Sequence, residues 1–259
     1  MKSLGIIPAR FASTRLPAKP LAMINGKTMI EWVYDAARKS NLDAVVVATD
    51  HYDIYTLCRD KGINVSLTSD QHVSGTDRVV EVSNKEEYKG YDIYVNIQGD
   101  EPMIRPSDIN DLIDKMKYWS QYDNDKHLVG TLVAPFMEHE LQSRSCVKAF
   151  RQFRRSSCSY RPYSNSEIIM FTRSVLYNTS LYGPDLSRLK KHMGVYAFPS
   201  EILVNISKLK DRTSNEIAES LEQLRWMDNG IHIAGVEVSN QTISIDTPED
   251  LERVRQILK

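Results

Sequence analysis

The chain is poor in cysteine and has no long apolar run. Its three cysteines, Cys58, Cys146 and Cys158, show no Cys-x-x-Cys spacing, which argues against a disulfide framework or a zinc cluster. Free thiols are the favoured interpretation, although Cys146 and Cys158 could pair. No run of eighteen apolar residues occurs, and the chain does not start with a charged segment followed by a long apolar one. We therefore expect a cytoplasmic protein without a membrane partner.

An excess of charge of one sign is also missing. The chain has 33 Lys and Arg residues against 34 Asp and Glu, for a net charge of −1. Such a balance provides no overall field to hold nucleic acid, so anions must be bound locally, by particular loops. Internal repeats and low-complexity segments are absent as well. A chain of 259 residues can bury one large core, and we predict a single domain over residues 1–259.

What the sequence does contain is an alternation of short apolar runs with amphipathic stretches. In the first half, the runs predict strands over residues 4–7, 44–48, 63–67 and 93–97, and helical spacing predicts helices over 28–40, 52–61 and 77–87. Further elements are expected at 106–116, 128–136, 167–172, 192–198, 215–227, 231–236 and 247–258. Buried strands joined by crossover helices indicate an α/β protein with a doubly wound, mostly parallel sheet.

The loop after the first predicted strand carries three cations, Arg10, Arg15 and Lys19. Open α/β sheets bind ligands at the carboxyl ends of their strands, and Arg and Lys are frequent partners of phosphates. Pro8 has no N–H to donate and is expected to end the ladder of the strand. We interpret residues 10–19 as a phosphate loop. The alternative is that the three cations only solvate the loop.

Two carboxylates are expected at the same edge of the sheet as the phosphate loop. Asp100 follows the predicted strand over residues 93–97, and Gly99 beside it allows a close approach of the backbone. Asp246 comes just before a helix that Pro248 opens. Carboxylates from distant parts of the chain suit Mg²⁺, which prefers oxygen ligands together with substrate phosphates. Taken alone, Asp246 is better explained as an acid that the helix dipole stabilises.

Motifs from one end of the chain to the other carry a family resemblance. They are Ile7-Pro-Ala-Arg10-Phe-Ala-Ser-Thr-Arg15-Leu-Pro-Ala-Lys19-Pro-Leu, Val47-Ala-Thr-Asp50, Ser74-Gly-Thr-Asp-Arg78, Asn96-Ile-Gln-Gly-Asp100-Glu-Pro-Met-Ile104, Lys191-His-Met-Gly-Val-Tyr196, Glu222-Gln-Leu-Arg225 and Ile245-Asp-Thr-Pro-Glu-Asp250. In this order they resemble the 3-deoxy-manno-octulosonate (Kdo) cytidylyltransferases. The resemblance implies the Rossmann-like fold of nucleotide-diphospho-sugar transferases. It also implies a smaller β-rich insertion near residues 137–200, for sugar binding and dimer contact.

The activity that the resemblance implies is transfer of CMP from CTP to Kdo with release of pyrophosphate, in lipopolysaccharide or capsule assembly. Arg10 and Lys19 would hold the triphosphate, and Arg15 would bind the nucleotide or support the loop. Asp100 and Asp246 would ligate Mg²⁺, the implied cofactor. Catalysis is thus assigned to Arg10, Lys19, Asp100 and Asp246, which act by positioning and charge neutralisation.

The two substrates, CTP and a keto-sugar acid, require further sets of residues. The cytosine is expected to be read by Pro8, Ala9, Ser74 and Gly75, although an ordinary glycine turn would look the same. A sugar acid needs an Arg for its carboxylate and amide, imidazole or phenol groups for its hydroxyls. The resemblance assigns this task to Gln98, Arg173, His192, Tyr196, Glu222 and Gln223. For His192, the alternative is a core histidine whose hydrogen bonds are satisfied.

The sequence departs from the family pattern most strongly over residues 150–190, and mildly at Ala18 and Asp77, where the family usually has Gly and Glu. The basic stretch over residues 144–161 is interpreted as a solvated hairpin or as an arm that reaches a second subunit, rather than as a nucleic-acid site. We expect a homodimer. The sugar acid stays open, because 8-amino-Kdo or another ulosonic acid would also fit. A CMP-sialate-type synthetase and a catalytically silent nucleotide-binding module are the further alternatives.

Overall fold

The computed structural model describes residues 1–13, 15–122, 128–135, 140, 143–152, 166–174, 189–239 and 242–258. The chain forms two compact units: Met1–Ile113 together with Thr242–Lys259, and Asp114–Gln241. The single domain with an insertion near residues 137–200 stays a prediction. Within the described residues, no helix combines the length and the apolar character that crossing a membrane requires.

The order of elements alternates strands and helices in the first half of the chain. The strands are β1 (Ser3–Ala9), β2 (Met23–Ile24), β3 (Lys27–Thr28), β4 (Ala44–Thr49), β5 (Val65–Leu67), β6 (Ile93–Asn96), β7 (Leu128–Pro135), β8 (Lys148–Arg151), β9 (Ile168–Thr172), β10 (Leu189–Pro199) and β11 (His232–Glu237). The helices are α1 (Met29–Arg38), α2 (Tyr52–Asp60), α3 (Gly75–Ser83), α4 (Pro106–Tyr122), α5 (Ser200–Ser207), α6 (Ser214–Glu219), α7 (Glu222–Asp228) and α8 (Pro248–Ile257).

In the first unit, strands β6, β1, β4 and β5 lie side by side in that order, and every neighbouring pair is parallel. Along the chain, a helix follows each of these four strands: α1 comes after β1, α2 after β4, α3 after β5 and α4 after β6. Strands β1, β4 and β6 are buried over most of their length, as parallel strands covered on both faces must be, whereas only Ser66 of β5 is buried. These features confirm the predicted α/β class with a doubly wound, mostly parallel sheet.

Three helices of this unit begin with a capping box. In this motif the N-cap hydroxyl accepts the N–H three residues on, and the acid there accepts the N–H of the N-cap residue. The pairs are Thr28 with Glu31, Ser74 with Asp77, and Thr247 with Asp250. Asp77 therefore fills a capping role at the position where the family usually has Glu.

Strand β1 is longer than predicted, because Pro8 does not end it. Pro8 pairs with Ala48 of β4, and the strand continues to Ala9. The carbonyl of Ile6 accepts the N–H of Ile97, which follows β6. The backbone nitrogen of Pro8, two residues further along β1, therefore also faces the β6 side. The pairing with β6 has already ended there, and the missing N–H of Pro8 therefore costs no ladder hydrogen bond.

The second unit has a mixed sheet in the order β11, β7, β10, β8 and β9. Strands β11 and β7 are parallel, whereas the other three neighbouring pairs are antiparallel. Strand β8 lies within the basic stretch, and its Lys148 is 1% exposed. The predicted solvation is therefore wrong for the buried Lys148 and Ala149, although β8 does pair antiparallel with β9, as the strands of a hairpin do. Residues 153–161 lie outside the described residues.

Other differences from the predicted elements have local causes. The helix expected over residues 215–227 is two helices, α6 and α7, because Ser220 adopts a left-handed conformation with φ of 53°. The β2–β3 hairpin around Asn25 and Gly26 and helix α5 were not predicted. Cys58 and Cys146 are buried free thiols. Cys158, and with it the possible pairing with Cys146, lies outside the described residues.

Candidate active site

A lysine lies between the two carboxylates that the sequence singled out. The Nζ of Lys19 donates to Asp100 Oδ2 at 2.7 Å, to Asp246 Oδ1 at 3.1 Å and to the carbonyl of Ile245 at 2.9 Å. The three charged side chains, which we call the charge cluster, are 17%, 25% and 34% exposed, in the order Lys19, Asp100 and Asp246. The structure thus brings Lys19, Asp100 and Asp246 together at one point of the first unit.

The backbone around the charge cluster explains how residues from three parts of the chain meet. The N–H of Ile245 donates to the carbonyl of Asp100 at 3.0 Å, which holds the two segments together. An apolar cluster of Ile24, Met29, Ile245, Leu251 and Val254 packs helix α8 against the β2–β3 hairpin and α1. Burial of each such side chain contributes on the order of 1.5 to 3 kcal/mol, so Asp246 is held by a substantial apolar contact.

Lys19 itself begins a 3₁₀ turn, Lys19–Leu21, directly after Ala18. Ala18 has φ of 50° and ψ of 37°, the left-handed region that favours glycine. This conformation explains why a glycine is usual at this position in the family that the chain resembles. An alanine here carries a strain of about 1 kcal/mol or more.

The two arginines of the phosphate loop differ in their surroundings. Arg15 lies 2.9 Å from Asp246 Oδ1 through its Nη2, and its side chain is 62% exposed. Arg10 is exposed at the end of β1 and forms no ion pair with any residue that the structure describes. The charge of Arg10 is therefore not balanced by a neighbouring carboxylate in the described part of the chain.

The predicted base-reading residues lie close together around the end of β1. A Cβ on Gly99 would lie 2.7 Å from the carbonyl oxygen of Pro8, so only glycine allows this approach. A Cβ on Gly75 would lie 3.5 Å from the ring of Pro8. The hydroxyl of Ser74 accepts the N–H of Asp77 at 3.2 Å as the cap of α3. Ala9 is buried, and Gln98 is half-buried just after β6.

Arg173 follows β9 in the second unit and is held mainly by backbone carbonyls. Its Nε donates to the carbonyl of Glu219 at 3.1 Å and its Nη1 to that of Arg144 at 3.0 Å. The carboxylate of Glu219 accepts the backbone N–H of Arg173 at 2.8 Å and the hydroxyl of Thr172 at 2.7 Å. Lys148 donates to the carbonyl of Arg173 at 3.1 Å, and burial lowers the pKa of this lysine. The guanidinium is thus oriented without a carboxylate among its hydrogen-bond partners in the described residues.

His192 lies on β10 against Phe171 and Tyr196, with ring centroids 4.9 Å and 5.4 Å away. Burial lowers the pKa of His192 to about 3, and the charge of Arg173 acts in the same direction, so the imidazole is neutral at neutral pH. Its Nε2 lies 3.1 Å from Thr131 Oγ1, and that hydroxyl donates to the carbonyl of Val195 at 2.8 Å. Because the hydroxyl proton is used there, we assign the imidazole proton to Nε2.

The remaining predicted residues of this unit are largely buried. Tyr196 is 3% exposed, and burial raises its pKa well above the usual value. With Phe171, His192, Phe198 and Trp226 it forms what we call the aromatic cluster. Gln223 is 1% exposed, and its Nε2 has no hydrogen-bond acceptor in the described structure. Glu222 precedes it at the start of α7 and is half-buried.

Sequence reasoning missed a buried ion pair between Asp50 and Arg78, whose side chains are 13% and 4% exposed. Both residues end motifs that the sequence analysis quoted, the one after β4 and the other inside α3. Opposite charges at the ends of two motifs were the available signal. Nothing in a single sequence, however, shows that these two motifs meet.

Comparison with known proteins agrees with this architecture. Residues 4–235 match the family model for cytidylyltransferases. The 3-deoxy-manno-octulosonate cytidylyltransferase of Fusobacterium nucleatum subsp. nucleatum is 40% identical over 259 residues, and that of Parabacteroides distasonis is 41% identical over 262 residues. Each alignment covers 100% of this chain and 98% of the relative. A solved structure of CMP:2-keto-3-deoxy-manno-octonic acid synthetase complexed with CTP is 38% identical, with a TM-score of 0.84 and coverage of 100% and 98%.

The fold and these similarities define the chain as a nucleotidyltransferase. Within that class it belongs to the cytidylyltransferase family, which confirms the resemblance that its motifs carry.

Proposed function

We propose that the protein transfers CMP from CTP to Kdo and releases pyrophosphate, in lipopolysaccharide or capsule assembly. Full-length similarity to proteins named for this activity, together with the charge cluster, is the observation that carries the proposal. The C2 hydroxyl of the sugar acid attacks the α-phosphorus of CTP, and pyrophosphate leaves in line. Such a transfer depends mostly on positioning and on neutralising developing charge.

The residues of the charge cluster fit Mg²⁺. Asp100 and Asp246 provide carboxylate oxygens and Ile245 a carbonyl oxygen, and Mg²⁺ prefers such ligands. The ammonium of Lys19 already lies against these oxygens, so a positive charge is favoured at this point. No group of three or more potential metal-binding side chains exists in the described part of the chain. Mg²⁺ is usually held by one or two carboxylates together with substrate phosphates, and Asp100 and Asp246 provide two carboxylates. When bound, Mg²⁺ would neutralise charge on those phosphates.

Arg10 and Lys19 hold the triphosphate in this proposal. Arg10 is exposed and unpaired among the described residues, so its guanidinium is available for a bidentate contact with phosphate oxygens. Lys19 contributes a point charge that reaches phosphates once its carboxylate partners are neutralised. Arg15 keeps Asp246 in place through their contact and assists in binding the nucleotide.

The base and the sugar acid are read by neutral groups and one arginine. Pro8, Ala9, Ser74 and Gly75 are the residues proposed for the cytosine. Arg173 pairs with the sugar carboxylate, because its charge has no carboxylate partner among the described hydrogen bonds. The proposed hydroxyl-binding residues are Gln98, His192, Tyr196, Glu222 and Gln223. The buried, unpaired Nε2 of Gln223 supports this assignment, because a buried donor without an acceptor is costly unless a ligand supplies one.

A pyrophosphate-release assay tests the proposal. We expect release with CTP and Kdo in the presence of Mg²⁺, and much slower release when UTP replaces CTP. Parallel reactions with 8-amino-Kdo and sialic acid decide between the proposed substrate and the alternative ulosonic acids. If CTP binds but no pyrophosphate is released with any of the three sugars, the protein is a silent nucleotide-binding module. The joint presence of Arg10, Lys19, Asp100 and Asp246 argues against this alternative.

The proposal also includes a homodimer that works in the cytoplasm. The family resemblance supports the dimer, and the cytoplasmic location rests on the expectation from the sequence, in which no run of eighteen apolar residues occurs. Sedimentation equilibrium of the purified protein distinguishes a dimer from a monomer, and a monomeric protein with full activity would contradict this part of the proposal.

A further inference from the structure

We propose that the buried Asp50–Arg78 pair is a positioning device for CTP, which ties the phosphate loop to the start of helix α3. This inference rests on the proposed function, because it assumes that the phosphate loop and the start of α3 bind the two ends of CTP. Asp50 and Arg78 are positioning residues, since they act through the segments that they hold.

Three polar contacts hold the guanidinium of Arg78. Its Nη2 pairs with Asp50 Oδ2, while its Nη1 donates to Thr68 Oγ1 at 2.7 Å and to the carbonyl of Ser69 at 3.0 Å. The guanidinium therefore bridges the residues that follow β4 and those that follow β5. The side chain of Arg78 is 4% exposed, and a charge this deeply buried is costly without its partner. Loss of Asp50 should therefore also displace Arg78.

The second carboxylate oxygen of Asp50 links the ion pair to the phosphate loop. Asp50 Oδ1 accepts the backbone N–H of Phe11 at 3.3 Å. The ring of Phe11 stacks on His51, with centroids 3.7 Å apart and planes at 12°. Phe11 is thus fixed by two contacts to the end of β4, and it is the direct neighbour of Arg10. The position of Arg10 therefore depends on Asp50.

The other end of the device is the start of α3. Arg78 lies in this helix three residues after Gly75, and a Cβ on Gly75 would lie 3.5 Å from the ring of Pro8, so the start of α3 runs close to the end of β1. One ion pair hence sets the spacing between the segment proposed for the base and the segment proposed for the triphosphate. A ligand that engages both segments gains from their fixed spacing, whereas a ligand that engages mainly one gains little.

The test compares the affinities of CTP and CMP, measured by calorimetry on the purified protein. Asp50→Asn keeps the shape of the side chain but removes its charge, and we expect CTP binding to weaken about tenfold or more, against about threefold or less for CMP. Val82→Ala is the matched control, because Val82 is a buried apolar residue of the same helix and has no polar group that could take part in the ion pair. It lowers stability but should leave the ratio of the two affinities unchanged.

His51→Asn provides a second variant in case Asp50→Asn does not fold. Asparagine still caps α2, as His51 does through its contact with the N–H of Asp53, but it cannot stack on Phe11. We expect the CTP-to-CMP affinity ratio to fall here too, by a smaller factor. An unchanged ratio in the folded variants would overturn the inference. A wild-type protein that binds no CTP would instead overturn the proposed function.

Discussion

The charge cluster of the first unit and the aromatic cluster of the second are built on opposite physical principles. Lys19, Asp100 and Asp246 are partly exposed and are held by attraction between opposite charges. His192 and Tyr196 lie among rings and are neutral at neutral pH. Both are held by packing, and His192 also contacts the uncharged hydroxyl of Thr131. Arg173 is oriented largely by carbonyls. The first arrangement can exchange partners when ions arrive, whereas the second presents fixed donors and acceptors.

This difference suits the two substrates of the proposed reaction. A triphosphate with a metal ion brings charges of both signs, and a cluster of three charges can redistribute its contacts around them. A sugar acid brings one carboxylate and several hydroxyls, for which prearranged neutral groups and one arginine avoid the cost of ordering side chains on binding. Substitutions in the two regions should therefore differ in kind as well as in size.

The largest effect is expected for Asp100→Asn and Asp246→Asn, which should each lower turnover by about a thousandfold or more, because charge neutralisation at the phosphates is lost. The fold should persist, since the substitutions keep the size of the side chain. Pyrophosphate release at ordinary Mg²⁺ concentration measures the effect, with a melting curve as control. Near wild-type rates in either variant would show that these carboxylates do not share a metal ion.

The next effect is expected for Lys19→Ala and Arg10→Ala, which should each cost about 3 to 4 kcal/mol of transition-state stabilisation. The measured quantity is kcat/KM for CTP at saturating Kdo. Arg15→Ala is the matched comparison, because its exposed pair with Asp246 should contribute at most about 1 kcal/mol. If CTP affinity and turnover survive the loss of both Arg10 and Lys19, residues 10–19 do not form a phosphate loop.

In the second unit, Arg173→Ala should raise KM for Kdo about 10- to 100-fold and leave KM for CTP nearly unchanged, because a charge-assisted contact to one substrate is lost. Arg173→Lys should also be impaired, since an ammonium cannot replace a bidentate fork. Steady-state kinetics with each substrate varied in turn measures both constants. An unchanged KM for Kdo in Arg173→Ala would mean that another residue pairs with the sugar carboxylate.

His192 should make stability depend on pH in a defined window. Its pKa in the folded protein is about 3, below the usual value of 6.5, so the unfolded chain binds more protons between these limits. The stability that the neutral ring provides is complete above about pH 6.5 and is lost as the pH falls towards 3, by at most about 1.4 kcal/mol per pH unit. His192→Gln should make the melting temperature depend less on pH between pH 7 and pH 5. If the melting temperatures of the wild type and of His192→Gln change with pH in the same way, His192 is not neutral in the folded protein.

The smallest effect is expected for Ala18→Gly, next to Lys19 in the charge cluster. Glycine adopts the observed φ of 50° without strain, so the substitution should stabilise the protein by up to about 1 kcal/mol. Turnover should stay close to that of the wild type, because Lys19 keeps its contacts. A loss of stability, measured by urea unfolding, would show that the left-handed conformation at residue 18 is not costly for alanine.

Sequence patterns predicted the fold better than its details. The strand over residues 44–48 and the helix over 52–61 are close to the observed β4 and α2, because burial and helical spacing are local properties. The break at Ser220 was missed, since a serine in the left-handed conformation has no reliable local signal. Pro8 was expected to end β1, and only the shorter pairing with β6 shows why it does not.

The sequence by itself determined the α/β class, the family and the residue types available for phosphate, metal and sugar, because motifs and apolar patterns are carried along the chain. Only the tertiary structure decided that Lys19 lies between Asp100 and Asp246, which are 81 and 227 residues further along the chain. It also decided that Asp50 pairs with Arg78 and that His192 is neutral. These properties depend on contacts between distant segments and on exclusion of water, and neither is present before the chain has folded.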